Sequence, residues 1–488
     1  MEGSTVYQGK VYVEMEKLYF EFLQIAIGNR KSLSVSISDT DWLRLFDFCQ
    51  KQALVGVGFS AVEKLHVEGV ACPPQSRMQW MALALQIERR NALLNEQCKK
   101  LTEQYGHDGL ATCILKGQGN LLNYPEELRN RRQCGDIDIW VAPLPPSGGC
   151  HNGADNGAGI AIAVQTEKDE VEYVEYHGRK AVIEYVRMQH RLAGNNEKPV
   201  IRYHHIEAPK MDGTEVEVHF RVGFVNSTLR NFRMQRWFDA HADECMKNKT
   251  HMGFAVPTSS VNVVYQMCHL FSHYFDEGLG LRQLMDYYFA LRVSHNDVME
   301  CKDLLSQGIW SEGLGTPVMS KEEVMAVLRS FGMGKFAAAV MWVISEVFGG
   351  GNDNDNEKFP QMNTDGHGCP QADGRSEHEF TRIIREFKEI GPQADEGGEQ
   401  QLKKNNFVPW MICEPNEKEG RKLLAEIMRG GNFGQYDTRD AGLKRGGMMK
   451  HGVWKLKRVM RLVSSYPEEA LWEPVFRVWH LVWRGING

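Results

Sequence analysis

Residues 133–141 read QCGDIDIWV, two acids one position apart in a run that otherwise belongs in a core. Successive side chains of a strand alternate between its faces, so residues i and i+2 share one. Asp136 and Asp138 are therefore expected to project together, with Ile137 and Ile139 anchoring the opposite face. A D-x-D pair on an ordinary strand marks a solvated face. Here Ile137, Ile139, Trp140 and Val141 make the element too apolar for that. Two neighbouring carboxylates repel, and one takes up a proton unless a cation neutralises both. Mg²⁺ answers that need, because it accepts carboxylate oxygens and keeps places for water and phosphate. Further along, TEVEVHF (214–220) offers Glu215 and Glu217 on one face of a second strand. If the two strands are neighbours, three carboxylates suffice to hold two ions for an in-line displacement at phosphorus.

The rest of the chain bounds that chemistry. Its 488 residues predict two to four domains of about 100–200 residues each. With 42% hydrophobic and 25% charged residues, it has the composition of an ordinary globular protein. The 63 acidic and 57 basic residues leave a net charge of −6, and the pI is about 6.3. Proteins that grip duplex nucleic acid carry a basic excess to displace counterions. Nucleic acid is thus the least expected partner. The eleven cysteines include no C-x-x-C pair and predict reduced thiols. The first residues lack a signal-peptide layout. No run approaches the roughly 18 apolar residues of a membrane span, and FAAAVMWVI (336–344) predicts a buried helix instead. The expectation is a cytoplasmic protein with no membrane span.

Periodicity divides the chain into five parts. Residues 1–106 predict a helical region, clearest over 42–65 and 79–106, where apolar residues recur at three- and four-residue steps. Residues 107–245 predict a mixed core: strands at LATCILKG (110–117) and CGDIDIWVAP, a helix at 179–194, and a hairpin in which VIRYHHIEAP and TEVEVHFRV flank the turn KMDG. Within it, the Gly-, Asn- and Pro-rich stretch 145–161 predicts a mobile insertion. Residues 246–348 are again helical. Residues 349–400, polar and glycine-rich, predict a flexible linker or insertion with at most a short helix at EFTRIIREFKEI. Helical texture returns over 401–488 and ends in the amphipathic FRVWHLVWRG (476–485), expected to pack on its own core.

Three motifs in order carry a resemblance. LKGQGNLLNYPEELRNRRQCGDIDIWV (115–141), VEVHF (216–220) and HLFSHYFDEGLGLRQLMD (269–286) are similar to the active-site segments of a bacterial nucleotidyltransferase family described as uncharacterised, a branch of the DNA polymerase β-like superfamily. Lys116-Gly117 matches the family's lysine–glycine turn, Gly135-Asp136-Ile137-Asp138 its G-D-x-D strand, and Glu217-Val218-His219 its acid–x–His strand. His269, His273, Gly280, Arg282 and Asp286 fall in matching places of the helical segment. The resemblance covers about 80–345, with weaker echoes after 401. It selects Glu217 over Glu215 as the third acid. It implies an α+β fold: a polymerase β-like core, a small mixed sheet with helices, flanked by N- and C-terminal helical regions. It also implies transfer of an NMP group from an NTP to a hydroxyl acceptor, with two Mg²⁺ held by Asp136, Asp138 and Glu217. Lys116, Gly117, Gln118, Gly135 and Arg282 would meet the nucleotide. Two departures stand out: the superfamily's glycine–serine turn reads Gly117-Gln118, and 19 positions separate Gly117 from Asp136.

Several histidines join the candidate list. His269 and His273 share a helix face four residues apart, where packing or substrate contact is expected ahead of zinc. Of Tyr203-His204-His205, strand alternation brings one histidine to the side of the acids, and His205 and His219 are expected near substrate. The acceptor, a small molecule or a protein side chain, is not written in these residues, nor is the oligomeric state. The competing expectation is a non-catalytic nucleotide- or partner-binding protein that keeps the fold.

Overall fold

A computed structural model describes residues 15–144, 159–165, 171–194, 198–306, 318–349 and 409–487. Four helices come first: α1 (15–26), α2 (Asp39–Lys51), α3 (Val55–Val67) and α4 (Pro74–His107). Ser38 and Asp41 form a reciprocal capping box at the start of α2, and a proline opens α4 where its missing N–H costs nothing. The helix expected over 42–65 breaks between α2 and α3, where Ala53 turns into the left-handed region at φ 55°.

The core follows as β1 (Leu110–Ile114), the short helices α5 (Gln118–Leu121) and α6 (Glu126–Arg129), β2 (Ile137–Pro143), β3 (Gly159–Gln165), β4 (Val171–His177), α7 (Gly178–Leu192), β5 (His205–Met211) and β6 (Thr214–His219). One sheet runs β1-β2-β6-β5, with β2 and β6 parallel and the other two pairs antiparallel. The fold is α+β, with a small mixed sheet flanked by helices. Among the described residues β3 and β4 pair only with each other, in a second, two-stranded sheet. That corrects part of the expected 145–161 insertion: residues 159–161 belong to a strand, and 145–158 lie outside the described residues. Asp212 and Gly213, both at positive φ, close the β5–β6 hairpin as a two-residue turn whose twist suits the strands.

The remaining helices are α8 (Thr228–Ala240), α9 (Ala242–Lys247), α10 (Ser259–Asp276), α11 (Leu281–Ser306), α12 (Lys321–Ser330) and α13 (Gly334–Phe348), then α14 (Glu417–Gly430), α15 (Ala441–Lys444), α16 (Met448–Leu462) and α17 (Pro467–Asn487). Most of the expected 349–400 linker, including EFTRIIREFKEI, lies outside the described residues. One apolar cluster joins helices from Leu18 to Ala470, including buried α13; a second joins α4 and α7 to the sheet through Ile137, Ile139, Val216 and Val218. Each fully buried Ile or Val there contributes about 1.5–3 kcal/mol. No helix among the described residues is long and apolar enough to cross a membrane. α17 packs one face on the core, Phe476 stacking on Phe224 at 4.9 Å, and leaves Val475, Val478, Leu481 and Val482 exposed.

Candidate active site

Parallel pairing of β2 with β6 puts Asp138 beside Glu217 and Trp140 beside His219. Ile137 and Ile139 fill the other side of β2, buried with Val216 and Val218, so Asp138 is carried into the interior by its neighbours. It is 1% exposed. Lys116 Nζ and His219 Nε2 each lie 3.0 Å from its Oδ1, while its Oδ2 is buried without a partner among the described residues. Glu217 Oε2 stands 3.4 Å from His205 Nδ1 and 3.6 Å from His219 Nε2. Asp138, Glu217 and His219 each bring one ligand atom within 4.8 Å of the others. Exposed Glu215 instead pairs with Lys210 at 3.0 Å.

Electrostatics inside this nest follow from burial and contact. Burial opposes charge on Lys116, yet Asp138 and Asp136 hold its ammonium above the ordinary range. Burial likewise opposes charge on His219, but hydrogen bonding to Asp138 and Glu217 raises its pKa. For Glu217, burial raises and His219 and Lys116 lower, with a net shift downward. Burial, with His219 nearby, pushes His205 down to about 2, and His204 also falls well below the usual range. Glu217, Lys116 and His219 are thus each shifted toward the charged form, while His204 and His205 are held neutral.

A cleft of about 490 Å³ opens beside the nest, its walls including Lys116, Gly117, Gly135, Asp136, His269 and Arg282. Asp136 precedes the first paired residue of β2, is half-exposed, and makes no hydrogen bond or ion pair with the described residues. Gly117 adopts φ 57°, ψ −112°, a conformation open to glycine, and leads into α5. Arg282 donates from Nη1 to the Gln133 carbonyl at 3.0 Å, while its Nε is buried unpartnered. Burial, then the nearby Arg132, lowers its pKa.

Two expected residues stand elsewhere. Gln118 turns away from the cleft and donates to Asn95 Oδ1 at 2.7 Å and the Asn91 carbonyl at 3.2 Å, both on α4. His273 lies behind His269, ring centroids 4.3 Å apart, and against Phe433 at 4.9 Å. Burial, with Lys116, holds it neutral at a pKa of about 3.

The structure adds residues that sequence reasoning passed over or left open. Arg132, buried, grips Asp286 with two bonds of 2.6 Å, and Tyr124 donates its hydroxyl to the same carboxylate at 2.6 Å. Arg132 and Asp286 lie 154 positions apart, so no local pattern announces their pairing. Phe433 also lines the cleft, at φ 52° between Gly431 and Gly434. Its loop sits against Gly278 and Gly280. A Cβ on Gly280 would come 2.7 Å from Asn432 Cα, and one on Gly278 3.0 Å from Gly434. By sequence GNFGQYD (431–437) reads equally as a loop over the site or as a helix-ending glycine turn, and the structure brings Phe433 to the cleft. His204 is the third addition: residues 200–202 double back, Arg202 N bonding to the His205 carbonyl and Glu207 N to the Val200 carbonyl. That bend replaces the strand expected through 203–204. Consecutive His204 and His205 therefore both reach His219, instead of one as strict alternation predicts.

No curated protein and no solved structure matches this chain. The model of a family described as uncharacterised nucleotidyltransferase matches residues 38–145 and 168–309, spanning the turn at Lys116, both acid-bearing strands and α10–α11. As that match covers just over half of its 488 residues, the chain belongs to this nucleotidyltransferase family.

Proposed function

We propose that the chain is a Mg²⁺-dependent enzyme of the DNA polymerase β-like superfamily, of bacterial type, moving an NMP group from an NTP to a hydroxyl acceptor. One observation carries this reading: Asp138 and Glu217 are register partners on adjacent parallel strands, with Asp136 unpaired at the mouth of the cleft. The residues fit dications. A buried Asp138 oxygen lacks a partner, and Asp138 and Glu217 present oxygens within 4.8 Å of each other. Two Mg²⁺ bound there would neutralise the phosphates and activate the acceptor hydroxyl.

The chain's own residues do the positioning. Lys116 and Arg282 bring cationic groups to the cleft where the phosphates would lie. Gly117 exposes backbone to a close-approaching phosphate. Phe433, with the Arg282 guanidinium 5.5 Å from its ring centroid, offers a stacking surface for the base. With the NTP held there, the acceptor oxygen forms the new bond to the α-phosphorus as the bond to pyrophosphate breaks. Positioning and charge then account for most of the acceleration. The acceptor is a small molecule or a protein side chain, and the −6 net charge makes an RNA end the weakest candidate.

A second reading, a non-catalytic nucleotide- or partner-binding protein, draws on Gln118, whose side chain is tied to α4 where the superfamily places a turn serine. Incubation with α-phosphate-labelled NTPs, Mg²⁺ and an acceptor panel separates the two. Transfer should appear in wild type and fall at least about 10²–10³-fold in Asp136→Asn and Asp138→Asn, with the unfolding curve of Asp136→Asn unchanged. Absence of Mg²⁺–NTP binding at roughly millimolar ligand would end the catalytic reading.

A further inference from the structure

The histidines around Glu217 form a donor set of a different character from the acids. Ring centroids lie 4.5 Å apart for His204–His205 and 5.3 Å from each of these to His219. One ring nitrogen of each comes within 4.8 Å of the other two. His204 Nε2 is 3.0 Å from His205 Nδ1, which is 3.4 Å from Glu217 Oε2, which is 3.6 Å from His219 Nε2. A tetrahedral ion with bonds of about 2.0–2.1 Å separates its ligand atoms by about 3.3 Å, and the three observed spacings straddle that value. A purely structural cluster would complete its hydrogen bonds. Here the far ring nitrogens, His204 Nδ1, His205 Nε2 and His219 Nδ1, are buried without a partner among the described residues, while the near ones, His204 Nε2, His205 Nδ1 and His219 Nε2, face each other and the acids as a converging donor set.

We propose that His204, His205 and His219, with Glu217 as fourth ligand, bind a nitrogen-preferring dication of the zinc, cobalt and nickel class. Imidazole suits these ions, whereas Mg²⁺ favours oxygen. The ion would tie the 203–204 bend to β6 and fix the orientation of Glu217. This site shares Glu217 with the proposed transfer chemistry but does not depend on it.

The test uses the full chain, stripped with a chelator and titrated with Co²⁺ and Zn²⁺. Wild type should bind both and develop the intense visible absorption of four-coordinate Co²⁺. X-ray absorption of the zinc form should show imidazole scattering. His204→Ala and His205→Ala should each weaken Co²⁺ binding at least about 100-fold. Asp136→Asn, at the cleft, should keep the Co²⁺ spectrum while losing Mg²⁺–NTP binding. No uptake of Co²⁺ or Zn²⁺ at roughly millimolar concentration, unchanged affinity in the His204→Ala/His205→Ala variant, or an all-oxygen shell around zinc would each overturn the proposal. The wild-type spectra decide it even if the variants fail to fold. Co²⁺ binding without NTP binding would sink only the transfer reading, and the converse only this one.

Discussion

Arg132 and Arg282 stand in one cleft and are used in opposite ways. Arg132, at the floor, is 3% exposed and spends its guanidinium on Asp286, in a bidentate pair completed by Tyr124. Arg282, on the wall, has one bond to a backbone carbonyl, an unpartnered Nε and an aromatic neighbour. The same contrast separates the buried nest, where Asp138 and Glu217 are matched by Lys116 and His219, from the outer cleft, where Asp136 has no partner among the described residues. A guanidinium satisfied within the protein holds the fold; one left unsatisfied is available to a ligand, as is the second oxygen of Asp138.

Substitution should expose that difference. Arg132→Met strands a buried carboxylate and should cost about 3–5 kcal/mol in urea unfolding. Arg282→Met should change stability by less than about 1 kcal/mol while weakening NTP binding about tenfold, as loss of a charge-assisted contact does. If both lose stability equally, the contrast fails. Phe433→Ala should lower NTP affinity about tenfold, leave affinity for inorganic triphosphate unchanged, and recover in Phe433→Tyr, as expected for a stacking platform.

Acid offers a subtler probe. His273 faces Lys116, Arg282 and Lys455 as well as Asp138, and its folded pKa of about 3 lies below the ordinary 6.5. Below about pH 6.5 the unfolded chain therefore binds a proton that the folded chain refuses. Stability is complete above that pH and declines as pH falls toward 3. His273→Gln should flatten the dependence of the urea midpoint between pH 7 and 5; an unaltered slope would place the acid sensitivity elsewhere. The smallest effect belongs to Glu215→Ala, which should stay within about 0.5 kcal/mol and leave activity intact. Loss of activity there would reverse the choice of Glu217.

Much of this was legible in local pattern. Alternation around Asp138 and the turn at Asp212-Gly213 specify the strands, because both signals lie within a few residues. The pairing of Asp138 with Glu217 needed the family resemblance, since register between strands some 80 positions apart is not a local property. Alternation failed at His204, where the doubling back of 200–202 overrides strand period. It also gave no hint of β3–β4, a pair that shares no edge with the main sheet. The Arg132–Asp286 pairing was hidden because tertiary packing alone makes it, and the glycines of GNFGQYD (431–437) left open whether that stretch covers the site or only ends a helix.

The contact of Gly278 and Gly280 with the 432–434 loop carries a further consequence. The acids lie on the segment covered by the family model, whereas Phe433 lies beyond its last matched residue. The carboxylates and Phe433 thus lie on either side of the end of that match, joined where two glycine turns touch. Rebuilding the 431–434 loop should retune which nucleotide is taken without touching the carboxylates.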